Sequence, residues 1–199
     1  MDDNIESARA MVFIDGNNLY HRLKERSWKT WIDIGSLAQR IVGQRSLIGI
    51  YYYNAPPPGG KAHTLKGNEY LAQVKKVPNL TFRKAWLQPT EKVDEYGIYQ
   101  SHREKGGDTA LSTDLVLLAA QDKFDVAIIV SNDSDYAPSA HAIVRQYGKS
   151  VEVIYFKGSK PFAMESCSLM REFRPGFVSE LAPRGKGRRK KRKLRHRRY

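Results

Sequence analysis

The chain has 199 residues, 41% of them hydrophobic and 11% aromatic, so it can bury one globular core but is short for two. Its formal net charge is +13, and residues 184–199 alone hold 11 Lys or Arg and no acid. One cysteine, Cys167, excludes an intramolecular disulfide framework and a cysteine-rich zinc site. The N-terminus lacks a signal-peptide core and no apolar run approaches the ~20 residues that cross a bilayer, so we expect a soluble, intracellular protein.

Short apolar runs alternate with amphipathic segments along the first half of the chain. Residues 11–14 predict a strand that ends at Asp15, and Asn17 or Asn18 is placed to cap the helix that follows. The next predicted elements are a helix, a strand, a helix and a strand, over residues 34–41, 47–53, 61–76 and 80–87.

The second half continues this alternation after a polar segment. Residues 88–107, with a hairpin piece at 96–99, are predicted to be the most mobile part of the domain. Asp108 is placed to cap a helix over residues 109–122. The later predicted elements are a strand, a helix ended by Gly148, a strand, a short helix and an edge segment, over residues 126–130, 135–147, 151–156, from 159, and 173–181.

The alternation predicts an α/β fold with a mostly parallel central sheet covered by helices on both faces. We expect a flexible N-terminus over residues 1–9, one domain over 10–183 and a disordered Lys/Arg-rich tail over 184–199. No strand is followed by GxGxxG or GxxxxGK[ST], so the usual dinucleotide or nucleoside triphosphate site is not predicted.

Aspartates stand where these predicted elements begin and end. The buried strand 126–130 leads into Asp133 and Asp135, and Asp15 follows the first strand. Ligands and catalytic groups lie at the carboxyl ends of strands in open α/β sheets, and neighbouring carboxylates repel unless a cation or proton intervenes. Asp108 and Asp114 stand on the helix that precedes the 126–130 strand. Each acid alone reads as a helix cap or a solvent-facing residue, so the case for a site rests on their convergence.

Three stretches carry these acids in order. They are Phe13-Ile-Asp15-Gly-Asn-Asn-Leu19, Lys105-Gly-Gly-Asp108-Thr-Ala-Leu-Ser-Thr-Asp114-Leu and Val130-Ser-Asn-Asp133-Ser-Asp135-Tyr136. Together they resemble the NYN domain family, most closely its LabA-like (DUF88) branch of the PIN-like nucleases, over about residues 10–175. The second stretch departs from the family pattern, because Gly107 stands where a branched apolar residue is expected.

The resemblance implies a Rossmann-like, three-layer α/β/α sandwich of the PIN-like type. It further implies an acidic pocket that binds Mg²⁺ or Mn²⁺ and cleaves RNA as an endoribonuclease. The implied site consists of the metal ligands Asp15, Asp114 and Asp133, the further catalytic acids Asp108 and Asp135, and the polar residues Asn17, Asn18 and Ser131. Mg²⁺ prefers hard oxygen ligands, so His21 and the other histidines are read as surface or supporting residues.

A polyanionic substrate requires cations and stacking rings beside such a pocket. Candidates in the folded domain are Arg103, Lys105 and Tyr136, with Lys61, Lys66, Tyr53, Tyr96 and Tyr99 as further members of the same edge. Tyrosines in strands are more often packing residues than stacking platforms.

The cationic tail is predicted to tether single-stranded RNA, structured RNA or the ribosome through counterion release. Its central residues are Arg188, Arg189, Lys190, Lys191, Arg192 and Lys193. The alternatives are a solubilising extension and, in a eukaryote, a nuclear-import signal. Membrane attachment is disfavoured because the tail offers only Leu194 and Tyr199 as apolar anchors.

Three functions are compatible with the sequence. The first is a cytoplasmic, metal-dependent ribonuclease. The second is a non-catalytic RNA-binding or regulatory module on the same fold. The third is a metal-dependent phosphatase, disfavoured because no DxDx[TV] motif is present. The sequence leaves open whether the chain is a monomer or a homodimer.

Overall fold

The computed structural model describes residues 8–55, 62–95, 97–158, 167–174 and 176. The elements in order are β1 Arg9–Asp15, α1 Gly16–Glu25, α2 Ile34–Val42, β2 Ser46–Asn54, α3 Ala62–Val74, β3 Leu80–Lys84, β4 Trp86–Asp94, β5 Gly97–Lys105, α4 Gly107–Ala120, β6 Val126–Val130, a 3₁₀ turn Ser134–Tyr136, α5 Ala137–Tyr147, β7 Ser150–Tyr155 and β8 Leu169–Glu172. The predictions for the N-terminus, the helix from residue 159, most of the 173–181 segment and the tail lie outside the described residues.

Six strands form one sheet in the order β3-β2-β1-β6-β7-β8. Every neighbouring pair in this sheet is parallel. β1 lies between β2 and β6, so successive strands are added to one side of β1 and then to the other. This is the topological switch point of a Rossmann-like sheet, where ligands bind beyond the carboxyl ends of the strands. The predicted α/β fold is therefore confirmed.

The alternating side chains of β1 supply a core on each face of the sheet. Val12 and Ile14 pack with residues of α1, α2 and α3 on one face. Met11 and Phe13 pack with residues of α4 and α5 on the other. A strand buried on both faces reads as a continuous apolar run, as residues 11–14 do. The two cores confirm the three-layer α/β/α arrangement.

Several element boundaries differ from those predicted. Asp15, rather than Asn17 or Asn18, caps α1, because its carboxylate accepts the N–H of Asn18. Likewise α4 begins at Gly107 after the left-handed residue Gly106, and no side chain caps it. Gly148 ends α5 in the left-handed conformation, as predicted.

The polar segment over residues 88–107, for which only a hairpin piece at 96–99 was predicted, belongs to a longer antiparallel hairpin, β4–β5. Its paired residues run from Trp86↔Lys105 to Asp94↔Gly97. Among the described residues these two strands form a sheet of their own, separate from the central sheet. The third predicted strand therefore ends at Lys84, and Trp86 already belongs to the hairpin. The mobility of this segment stays a prediction.

Ion pairs join β1 to β6 at the amino edge of the sheet. The Arg9 guanidinium and backbone N–H both donate to Asp125, at 2.8 Å. The hydrogen bonds from Arg9 lower the pKa of Asp125 to about 2. These contacts hold together the strand ends that lie opposite the carboxyl edge.

None of the helices in the described part of the chain is long and apolar enough to span a membrane.

Candidate metal and active site

Three carboxylates converge at the carboxyl edge of the sheet, at the switch point. One oxygen each of Asp15, Asp108 and Asp133 lies within 4.8 Å of the others. Asp15 ends β1, Asp108 lies in the first turn of α4, and Asp133 follows β6. They line a pocket of about 290 Å³. Parallel strands and the crossover helix α4 thus bring together acids that are far apart in sequence.

Asp15 is the buried member of the group, with 7% of its surface exposed. Its Oδ1 accepts the Asn18 N–H at 2.9 Å, which caps α1. Its Oδ2 lies 3.2 Å from the Ser131 hydroxyl and 3.0 Å from the Tyr136 hydroxyl, and both donate to it. Burial raises the pKa of Asp15 to about 6, and these donors offset part of the rise. The protein therefore holds a carboxylate in fixed orientation at a position where ionisation is less favourable than in water and would be favoured by a nearby cation.

Gly16 follows Asp15 and is needed for space. A Cβ at this position would lie 2.6 Å from the Tyr52 ring. The Tyr52 ring therefore packs directly against the start of α1, where a larger residue than glycine would not fit.

Tyr136 joins two of the acids from beneath the pocket. Its hydroxyl lies 3.0 Å from Asp15 Oδ2 and 2.8 Å from Asp108 Oδ1. Burial and the two carboxylates raise the pKa of Tyr136, so it stays a hydrogen-bond donor. The prediction that Tyr136 stacks on a base is wrong, because only 1% of its surface is exposed. Tyr53 is likewise buried and offers no free ring face.

The loop after β6 is ordered by its own polar side chains. The Ser131 hydroxyl accepts the Asp133 N–H at 3.0 Å, and Asp133 Oδ1 accepts the Asp135 N–H at 2.9 Å. Asn132 is buried and forms two hydrogen bonds to the backbone of Phe156, at 2.8 and 2.9 Å. It clamps the loop to the residue that follows β7. The sequence reading missed this role of Asn132, although its place directly after a buried strand was the available signal.

Asp135 is exposed, two residues after Asp133, and is not among the three converging acids. Asp133 caps the 3₁₀ turn that starts at Ser134, so Asp135 is not needed as a cap. Its catalytic role stays a prediction.

Asp114 is held by partners other than the three acids. Arg83 donates to both of its oxygens, at 2.8 and 3.0 Å, and the Tyr53 hydroxyl donates at 2.9 Å. The structure thus brings Asp108, rather than Asp114, together with Asp15 and Asp133. The resemblance assigned Asp114 as a ligand, and that role stays a prediction.

One face of α1 forms a wall of the pocket. Asn17 and Asn18 lie there as expected, and Asn18 Oδ1 also accepts the Asn132 N–H at 3.1 Å. The next residues on the same helical face are His21, Arg22 and Glu25, which the sequence reading did not place in the site. The sequence signal was helical spacing: His21 and Arg22 follow Asn17 and Asn18 by four residues, and Glu25 follows His21 by four.

The predicted substrate cations are described only in part. Lys105 is exposed and is the last residue of β5. Asp108 follows it by three residues, in the first turn of α4. Arg103 belongs to β5, but its side chain lies outside the described residues, and so does the whole tail segment 188–193. Their binding roles stay predictions.

The donor set of the pocket fits a hard divalent cation. Carboxylate oxygens are the ligands that Mg²⁺ and Mn²⁺ prefer, and Mg²⁺ needs only one or two of them directly because it keeps several waters. Three such oxygens lie within 4.8 Å of one another, one of them from a buried Asp with a raised pKa, and a cation between them would offset their mutual repulsion. The residues of this pocket therefore match the metal that the resemblance implies.

The fold and the pocket define a class of protein: a Rossmann-like α/β/α domain with an acidic site at its switch point. Comparison with family models places the chain more closely, because the NYN domain model matches residues 9–179. The chain belongs to the NYN domain family, which is PIN-like.

Solved structures support the same fold. A protein of unknown function from Vibrio parahaemolyticus, VPA0982, matches with a TM-score of 0.64 and 15% identity, covering 89% of this chain and 99% of its own. A nicotinamidase from Staphylococcus aureus, SaPncA, has a TM-score of 0.34 and 15% identity over 80% of this chain and 89% of its own, too low to support any argument. Comparison with curated proteins gave no match.

Proposed function

We propose that the protein is a metal-dependent ribonuclease that hydrolyses RNA phosphodiester bonds at the pocket of Asp15, Asp108 and Asp133. The observation that carries this proposal is the convergence of three carboxylate oxygens within 4.8 Å at the switch point of an NYN domain. These three residues would hold Mg²⁺ or Mn²⁺. When bound, the ion would supply positive charge that stabilises the phosphate and activates water.

The chain's own residues orient the site. Ser131 links two of the acids, because it donates to Asp15 and accepts the backbone N–H of Asp133. The Asn18 N–H donates to Oδ1 of Asp15 and the Tyr136 hydroxyl to Oδ2, which leaves a lone pair of Oδ1 for a cation. Carboxylates held in this way lose little freedom on binding a cation and a phosphate, which is the advantage of preorganisation. We further propose that Asp135, exposed two residues after Asp133, acts as a base towards water.

A cleavage assay on the full-length protein tests the proposal. Single-stranded RNA labelled at one end should be cut in Mn²⁺ or Mg²⁺ and left intact in EDTA. Asp133→Asn and Asp15→Asn should abolish turnover while circular dichroism shows a retained fold. Asp33→Asn is the matched control, because Asp33 caps α2 through the same contact to an N–H three residues on, away from the pocket. Unchanged cleavage by the Asp15 and Asp133 variants would refute the assignment.

Metal binding distinguishes the roles of the two aspartates of α4, Asp108 and Asp114. Titration of Mn²⁺ into the metal-free protein should show weaker binding for Asp108→Asn than for Asp114→Asn, because only Asp108 joins the described three-acid group. Binding of RNA that is indifferent to both metal and these acids would instead identify a non-catalytic RNA-binding module. Hydrolysis of small phosphate esters without RNA cleavage would identify a phosphatase.

A further inference from the structure

Helix α1 contributes a set of charged and polar side chains to the acidic pocket. The residues of this helix that line the pocket are Asn17, Asn18, His21, Arg22 and Glu25. Residues four apart on a helix lie on one face, so Arg22 stands one turn along the helix from Asn18. Asn18 donates its backbone N–H to Asp15. This face of α1 therefore connects Arg22 to the buried acid of the site.

The charged groups of the pocket are mostly acids. The acids among its described lining residues are Asp15, Asp108, Asp133 and Glu25, and the basic residues are His21 and Arg22. An arginine keeps its charge at every physiological pH, whereas the charge of a histidine depends on pH. RNA carries a negative charge at each nucleotide, so a phosphate beside the one that a metal holds needs a second cation. Among the described lining residues, Arg22 supplies that permanent positive charge.

Arg22 is paired with an acid that has a second basic neighbour. Its Nη1 donates to Glu25 Oε2 at 3.0 Å, and the same oxygen lies 3.7 Å from Nη1 of Arg26. The side chains of Arg22 and Glu25 are 30% and 55% exposed. An ion pair in contact with water contributes little to stability, so Arg22 can exchange Glu25 for another anion at little cost.

Arg26 is held in place by contacts that do not depend on Glu25. Its Nη1 donates to the backbone carbonyl of Arg22 at 3.1 Å, and its Nη2 donates to the carbonyl of Lys157. Its guanidinium also lies over the Phe156 ring, 5.2 Å from the ring centroid. Glu25 therefore keeps a positive charge nearby when Arg22 turns to a different anion.

We infer that Arg22 binds a phosphate of the RNA strand next to the one held at the three aspartates, and that Glu25 holds its guanidinium until the strand arrives. A guanidinium can bind a phosphate through two parallel hydrogen bonds, which is a stronger contact than an exposed pairing with a carboxylate. Because this phosphate is not the one that reacts, Arg22 contributes to substrate binding rather than to bond breaking. This inference rests on the proposed function and assigns a substrate-binding residue of the same site.

Equilibrium binding in EDTA tests the role of Arg22 without turnover. Fluorescence anisotropy with a short labelled single-stranded RNA should show an affinity about tenfold lower for Arg22→Ala. The slope of log K against log salt should become shallower by about 0.7, the contribution of one single-strand phosphate contact. Arg22→Lys should keep the slope and recover part of the affinity, because lysine retains the charge but lacks the planar fork.

Lys24, on the same helix, supplies the matched control. It is exposed and is not among the described residues that line the pocket. Lys24→Ala removes the same charge and should change the affinity and the slope much less. Residues 184–199 are identical in all these proteins, so their contribution to binding cancels. Equal effects of Arg22→Ala and Lys24→Ala would show a general effect of charge and overturn the inference.

Replacing Glu25 tests whether it competes with RNA for Arg22. Glu25→Gln should strengthen RNA binding about threefold in the native background, and much less in Arg22→Ala. The same gain in both backgrounds would mean that Glu25 only repels the strand, and its assigned role would be overturned.

Two further measurements distinguish a substrate contact from damage to the pocket. In cleavage assays with Mn²⁺, Arg22→Ala should raise KM about tenfold and leave kcat nearly unchanged. Its affinity for Mn²⁺ should be no lower than that of the native protein, because the variant removes a positive charge beside the aspartates. Weaker Mn²⁺ binding, or a lower kcat with unchanged RNA affinity, would overturn the inference.

The failure of this inference is distinct from failure of the proposed function. Loss of cleavage in Asp133→Asn with full RNA affinity in Arg22→Ala would leave the ribonuclease standing and remove the role of Arg22. Absence of cleavage in the native protein, with weaker RNA binding in Arg22→Ala, would remove the ribonuclease and keep Arg22 as an RNA contact.

Discussion

Replacing the buried acid Asp15 by asparagine should stabilise the metal-free protein at neutral pH. Burial raises the pKa of Asp15 from its ordinary 3.8 to about 6. Each pKa unit corresponds to about 1.4 kcal/mol, so keeping this carboxylate ionised in the fold costs about 3 kcal/mol above pH 6. Asparagine carries no charge: its Oδ1 can accept the Asn18 N–H, and its NH₂ group can donate to the Ser131 and Tyr136 hydroxyl oxygens, which accept instead of donating.

The sign of the pH dependence follows from the direction of the pKa change. Below pH 3.8 the carboxyl is protonated in both the folded and the unfolded chain. Between 3.8 and about 6 the unfolded chain loses this proton first, so the stability of the native protein falls as pH rises. In Asp15→Asn this contribution is absent.

Urea unfolding in EDTA at pH 4.5, 5.5 and 7.5 measures the effect. The free energy of unfolding of Asp15→Asn, relative to the native protein, should increase across this range by about 2 kcal/mol, because about 1 kcal/mol of the total of about 3 kcal/mol is already present at pH 4.5. Asp33→Asn, an exposed cap of the same geometry, controls for general effects of charge removal. A constant difference between Asp15→Asn and the native protein, or a decrease with pH, would refute the reasoning.

Three other predictions concern the scaffold around the site. Asn132→Ala removes two buried hydrogen bonds to the backbone after β7 and should lower the free energy of unfolding by about 2–4 kcal/mol in urea; a loss below 1 kcal/mol would contradict the clamp. Arg9→Ala should reduce the loss of stability between pH 4 and pH 2, because Asp125 is then no longer held ionised down to about pH 2. The same loss of unfolding free energy between pH 4 and pH 2 in the variant and the native protein would contradict this. Gly106→Ala should destabilise through its left-handed backbone and its contact with Trp86, and less so in a Trp86→Ala background; equal losses in both backgrounds would show that the indole contact contributes nothing.

Sequence reasoning reached Asp15 and Asp133 because both follow buried strands. The apolar run of each strand is a local signal, and the parallel sheet places such strand ends at one edge. The resemblance to the NYN family then indicated which aspartates form the site. The match to the NYN domain model confirmed that the chain belongs to this family. What local pattern could not show is which helix acid joins them. Asp114 instead pairs with Arg83 of β3, and this contact joins residues that are far apart in sequence.

The sequence indicated a hairpin piece only at residues 96–99, and the full extent of the β4–β5 hairpin escaped prediction. Both of its faces carry exposed residues, so the period-two hydrophobic pattern that marks a half-buried strand is weak. Pro89 also argues against a strand, since proline cannot donate to a ladder and is tolerated at edges. Both strands of a two-stranded hairpin are edge strands, so Pro89 is tolerated opposite His102.

The β4–β5 hairpin begins and ends at one place, because Trp86 pairs with Lys105. Its removal or exchange would leave two chain ends already adjacent, and its strands pair with none of the described strands of the central sheet. A hairpin of different length or charge, joined at these two positions, would therefore give a variant that keeps its acidic pocket.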